Sequence, residues 1–91
     1  MSAVVEIFTR PGCGYCTAAK SLLSRKNVEF TEFDAGINPS FRQTMLARAN
    51  GRTTFPQIFI DGFHVGGCDD LYALDRGGQL DPLLTGRKDI A

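Results

Sequence analysis

Apolar and polar positions divide the chain into short segments of two different periods. Val4-Val5-Glu6-Ile7-Phe8 is β-branched and aromatic and runs into Thr9-Arg10-Pro11-Gly12, which predicts a buried strand ending in a loop. Beyond Gly12 the period changes. Ala18, Ala19, Leu22 and Leu23 recur at helical spacing, with Lys20, Arg25 and Lys26 on the polar side or near the end, so a helix is expected from Cys13 or Gly14 to about Lys26-Asn27. Val28-Glu29-Phe30-Thr31-Glu32-Phe33 reads as a second strand. Two strands joined by a helix form a βαβ unit, so they should run parallel with a right-handed crossover.

The second half carries different punctuation. Asn38-Pro39 predicts a helix start with Asn as N-cap and Pro in the first position. Phe41, Met45 and Ala49 then form one apolar stripe, and Asn50-Gly51 ends it. Gln57-Ile58-Phe59-Ile60 and Phe63-His64-Val65 flank Asp61-Gly62, a strong hairpin signal. A helix is expected from about Asp69 to Arg76, stopped by Gly77-Gly78, and Asp81-Pro82 should open a short terminal turn or helix. The order β-α-β-α-β-β-α predicts an α/β fold: a four-stranded mixed β-sheet flanked by helices. The 91 residues make one domain, 1–91, with a polar tail at 85–91 expected to fray.

Charge narrows the function by exclusion. Ten Lys and Arg balance ten Asp and Glu, so nothing suggests nucleic acid. No apolar run approaches the roughly 20 residues of a membrane span, and the N-terminus lacks a signal-peptide pattern. The expectation is a cytoplasmic monomer without a membrane partner.

The three cysteines are more informative. Cys13 and Cys16 are separated by two residues, and Cys68 stands apart. The close pair has three readings: a redox pair, half of a zinc site, or coincidence. Zinc needs four ligands, and beyond the pair the chain offers only Cys68 and His64, poorly spaced for the purpose. Coincidental core cysteines fit badly beside Gly12 and Gly14, which keep the site open to a partner backbone. As a redox pair the arrangement has a physical logic. Cys13 lies where a strand loop becomes a helix, and a helix N-terminus favours an anion, here a thiolate. Arg10 adds positive charge upstream. Cys13 is then the nucleophile and Cys16 the resolving thiol.

With these residues in place, the chain resembles the glutaredoxins, of the dithiol and small bacterial type. The likeness extends from about Val4 to Leu84. It rests on Cys13-Gly14-Tyr15-Cys16, Thr54-Phe55-Pro56, Gly66-Gly67-Cys68-Asp69-Asp70 and the element order. Thioredoxins fit less well: they carry Trp and Pro where this chain has Gly12 and Tyr15. The resemblance implies a thioredoxin-like fold and a glutathione-dependent reduction of glutathione mixed disulfides and protein disulfides. It implies Cys13 and Cys16 as catalytic residues, with Tyr15 walling the site and Pro56 cis. Beside Thr54, Phe55 would pair its backbone with the cysteinyl part of glutathione. Cys68 and Asp69 would hold the γ-glutamyl carboxylate and amine, and Arg10 and Arg52 the glycine carboxylate. Glutathione is the expected co-substrate, and glutathionylated or disulfide-containing proteins are the expected partners.

Two departures stand out. The common motif has Pro where this chain has Gly14, and some relatives with a small residue there hold a [2Fe–2S] cluster between two subunits. The alternative is therefore a glutathione-ligated cluster carrier, with Cys13 as the ligand. Phe55 replaces the Val of many relatives. Some residues also have plainer readings. Cys68 packs at a helix start and works through its backbone N–H, His64 is a surface residue, and Asp69 and Asp70 complement a helix dipole.

Overall fold

A computed structural model describes residues 3–85. The elements are β1 (Val5–Thr9), α1 (Gly14–Arg25), β2 (Thr31–Asp34), α2 (Ser40–Arg48), β3 (Gln57–Ile60), β4 (Phe63–Gly66), α3 (Cys68–Arg76) and α4 (Leu80–Leu84). The strands form one sheet in the order β2-β1-β3-β4. β1 pairs with β2 in parallel, Glu6 opposite Thr31 and Thr9 opposite Asp34, and with β3 antiparallel, Val5 opposite Ile60 and Phe8 opposite Gln57. The mixed sheet expected from the period changes is therefore the one formed.

Strand alternation sends side chains to two separate cores. Val5 and Ile7 of β1 join Ile58 and Ile60 of β3 beneath Ala19, Leu22 and Leu23 of α1 and Leu71 of α3. Phe8 and Phe59, on the opposite face, join Met45 and Ala49 of α2. Phe8 stacks on Phe33 and meets Phe59 edge-on, with centroids 4.9 and 5.8 Å apart. The Phe41, Met45, Ala49 stripe thus covers the aromatic face, as its spacing predicts. Asp61 and Gly62 both have positive φ, 50° and 80°, the backbone that a two-residue hairpin turn demands.

Two boundaries differ from expectation, and a third matches it. β2 begins at Thr31, not at Val28. Asn27 is left-handed, with φ 59°, and the Val28 N–H donates back to Leu23 O, so this stretch closes the helix before it can pair with β1. Asn38 does cap α2, its Oδ1 accepting the Ser40 N–H at 3.1 Å, although the helix is counted from Ser40 with Pro39 already in helical conformation. α4 opens at Leu80, ahead of the expected Asp81-Pro82 start. Burial of Leu80 and Leu84 sets its position, and Pro82 falls in the first turn, where a missing N–H costs nothing. Thr85 ends α4 with its N–H on Asp81 O, and the rest of the tail expected to fray lies outside the described residues. No helix among the described residues is long and apolar enough to cross a membrane.

Candidate active site

The loop after β1 delivers Cys13 to the N-terminus of α1, where it serves as the N-cap. Its sulfur accepts the backbone N–H of Cys16 at 3.2 Å, the position a capping oxygen usually takes. That N–H points at Cys13 Sγ from the positive end of the α1 dipole. The thiol is half-buried and lies 3.8 Å from the carbonyl oxygen of Phe55, to which it donates when protonated. The Phe55–Pro56 peptide bond is cis.

Cys16, one turn deeper, is buried and unlike Cys13 in chemistry. Burial pushes its thiol up to about 12; the hydrogen bond and charge of Cys13 act in the same direction, while the Arg10 backbone N–H and the Lys20 charge oppose them. It is a thiol at neutral pH, beneath a sulfur that is open to a partner.

Phe55, whose carbonyl Cys13 faces, lines two depressions, and Tyr15 and Thr54 complete their common wall. The smaller, about 330 Å³, is completed by Arg52, Pro56 and the start of α3 from Gly67 to Asp70. The larger, about 660 Å³, is completed by Arg10, Arg42, Thr53 and the Ala35-Gly36 loop. The structure therefore gathers Tyr15, Arg52, Thr54, Phe55, Pro56, Cys68 and Asp69 around one concavity. Arg10 lies in the other, its guanidinium 6.0 Å from the centre of the Phe55 ring. Arg10 and Arg52 do not share a depression.

Cys68 is the first residue of α3 and is buried, which matches a packing role. Burial raises its thiol above the usual range, and the charges of Asp69 and Cys13 add to this. His64 is a correction: it is not a bare surface residue. Its ring stacks on Phe59 at 4.9 Å, and its Nε2 lies 2.6 Å from Gln57 Oε1. Gln57 is fully buried and donates its amide to the carbonyl and hydroxyl oxygens of Thr54, at 3.0 and 3.1 Å. With the amide nitrogen engaged on a carbonyl, Oε1 faces His64, so His64 Nε2 carries the proton. Burial lowers the His64 pKa, with the Arg52 charge helping and Asp70 opposing.

Sequence reasoning missed three contributors. Gln57 anchors the Thr54-Phe55 segment, and its signal was a polar residue opening an otherwise apolar buried strand. Asp70, read only as a dipole complement, accepts the Gly67 N–H at 2.9 Å and pairs with Arg52 at 3.4 Å. Arg42 comes from α2, and nothing local marks it, because only the fold brings it beside Arg10.

A sequence model of the glutaredoxins matches residues 5–65. Glutaredoxin 3 of Escherichia coli is 58% identical over 82 residues, covering 90% of this chain and 98% of that protein. The chain belongs to the glutaredoxin family. Its fold is the thioredoxin-like one: the solution structure of the Brucella melitensis glutaredoxin superposes with a TM-score of 0.82 at 57% identity, covering 98% of this chain and 96% of that one. A buckwheat glutaredoxin solved as its glutathione complex superposes with a TM-score of 0.84 at 29% identity, over 98% and 83% of the two chains. Membership makes this glutaredoxin a thiol–disulfide oxidoreductase.

Proposed function

We propose that this glutaredoxin works with glutathione, reducing glutathione mixed disulfides with Cys13 alone and protein disulfides with Cys13 and Cys16 together. The observation that carries the reading is Cys13 Sγ at the α1 N-terminus, accepting the Cys16 N–H at 3.2 Å and facing the carbonyl of Phe55, which lines both depressions. A mixed disulfide presents its glutathione sulfur to the Cys13 thiolate. The Cys13–glutathione bond forms, the old disulfide breaks, and the protein sulfur leaves as a thiolate and takes a proton. A second glutathione thiolate then attacks the glutathione sulfur on Cys13, giving glutathione disulfide and restoring Cys13. With a protein disulfide, Cys13 binds the target and Cys16 displaces it.

The charges of glutathione match what lines the two depressions. The N–H groups of Cys68 and Asp69, at the start of α3, suit the γ-glutamyl carboxylate, and the Asp69 carboxylate suits its ammonium. The Phe55 backbone pairs with the cysteinyl residue between Tyr15, Thr54 and Pro56. An extended tripeptide is about 10 Å long, so its glycine carboxylate crosses the common wall to Arg10, with Arg42 beside it. Arg52 flanks the γ-glutamyl end, held by Asp70. The glutathione complex of the buckwheat relative supports the ligand.

The cluster-carrier alternative would use Cys13 as the chain's ligand, with glutathione and a second copy supplying the others. Gly14 leaves open space beside it, since a Cβ there meets no atom within 4 Å. Among the described residues no three His, Cys, Asp or Glu side chains are grouped to hold a metal ion, so the remaining ligands must come from outside the chain. The dithiol reading gives both cysteines a task and is the one carried forward, with the protein acting as a monomer.

The test is turnover of a small glutathione mixed disulfide with glutathione as reductant. Cys13→Ser should abolish it and Cys16→Ser should retain it, while reduction of a protein disulfide should need both residues. Persistent activity of Cys13→Ser overturns the mechanism, and equal rates with other small thiols overturn the glutathione dependence.

A further inference from the structure

Cys16 poses a problem that the active-site wall does not solve. It must lose its proton to displace a bound target, yet it is buried, and of the residues lining the two depressions only Arg10 acts on it, through its backbone. The groups that do converge on it come from behind. Lys20 lies one turn further along α1, at i+4, on the same helix face. Its Nζ is 2.9 Å from Glu32 Oε2 on β2. The same carboxylate oxygen accepts Thr9 Oγ1–H at 2.7 Å. Thr9 is buried at the end of β1, immediately before Arg10, whose backbone N–H faces the Cys16 sulfur.

Three elements thus fix one ammonium. Lys20 has a flexible four-carbon stem, and its entropy normally keeps such a group mobile. Here Glu32 tethers it, and Thr9 in turn orients Glu32. Thr9 and Lys20 hold the Glu32 carboxyl below its usual range against the effect of burial, so it remains a carboxylate at neutral pH. Burial does most to keep the Cys16 proton on and Cys13 adds to it, while the Lys20 charge acts, more weakly, in the opposite direction.

We propose that Lys20, held in place by Glu32 and Thr9, is a positioning residue for the resolving step and lowers the cost of forming the Cys16 thiolate. The Cys16 proton passes to solvent base and not to Lys20. The Cys16 thiolate attacks Cys13 Sγ of the target-bound intermediate. The Cys13–Cys16 bond forms, the Cys13–target bond breaks, and the target sulfur leaves as a thiolate and takes a proton. This rests on the reading of Cys16 as the resolving thiol.

The two reactions of the protein separate the idea from a structural role, because only one of them uses Cys16. In Lys20→Met, single-turnover reduction of a protein disulfide should slow by about tenfold at pH 7, the order expected for removing one nearby partly solvated charge. The pH at which that rate is half-maximal should rise. Turnover of a small glutathione mixed disulfide should stay within about twofold, and so reports on folding as well. Lys20→Arg should restore most of the lost rate, and Glu32→Gln, which frees the ammonium without removing it, should fall in between. The proposal is overturned if Lys20→Met lowers both reactions equally, lowers neither, or leaves the pH profile in place. Failure of the underlying reading looks different: Cys16→Ser would then still reduce the protein disulfide.

Discussion

Cys13 and Cys16 are the same side chain three residues apart, and their surroundings make them chemically unequal. Cys13 caps a helix at the surface, while Cys16 sits beneath it, buried and pushed up to about 12. The step of one helical turn that lets the sulfurs meet also places one outside the core and the other inside it. A similar divergence applies to His64. On a hairpin strand it looks like a surface residue, yet the fold stacks it on Phe59 and ties it to Gln57. Its pKa is lowered from 6.5 in the folded state. Its stabilising contribution is therefore present above about pH 6.5 and is lost as pH falls through the lower folded value, because the unfolded chain takes up the proton first. Urea unfolding of the protein and of His64→Gln from pH 7.5 to 5 should show the wild-type protein losing stability relative to the variant below about 6.5. A difference between them that is constant across that range would refute the assignment.

Two helix N-termini converge on the site, and each is built by a different device. α1 is capped by the Cys13 sulfur, whereas α3 is capped by the Asp70 carboxylate. The turn into α3 needs glycine at Gly66, where φ is 113° and a Cβ would run into the Asp70 carboxylate and the Arg52 guanidinium. Asp70, three residues after Gly67, reaches back to the Gly67 N–H as the acidic half of a capping box. Its ion pair with Arg52 is about half exposed and contributes little stability by itself. Asp70→Ala should therefore cost about 1 kcal/mol, mostly through the lost cap, and should raise KM for a glutathione mixed disulfide severalfold by freeing Arg52. Unchanged urea stability together with an unchanged KM would show that the start of α3 is held by other contacts.

At the scale of the molecule, the central strands β1 and β3 are buried on both faces, and the site sits at the end of the sheet where β1 runs out and β3 begins. Stability and site geometry are therefore linked through the same packing. Leu71 shows how: it is fully buried, on the helix whose first turn lines the smaller depression. Leu71→Ala should cost about 3 kcal/mol, a large part of the 5–15 kcal/mol typical of small domains. Equilibrium denaturation measures it directly, and a loss below about 1 kcal/mol would mean that the core around α3 closes over the cavity.

The sequence by itself determined the elements, the parallel and antiparallel halves and the spacing of the cysteine pair. Each of these is encoded locally: in the change of hydrophobic period at Gly12, in Asp61-Gly62, and in a cysteine spacing that equals one helical turn. The element end at Val28 was misread because left-handed Asn27 and the Val28 N–H close α1 locally, and the one at Asp81 because tertiary packing buries Leu80. The positions of Arg42 and of the Lys20–Glu32–Thr9 cluster left no mark in the sequence, because tertiary packing settles them too. Their partners lie on other elements, and no spacing along the chain records them. Only the tertiary structure decided which cysteine stayed open to solvent and which was buried, because burial depends on what packs over a residue and not on its neighbours in sequence.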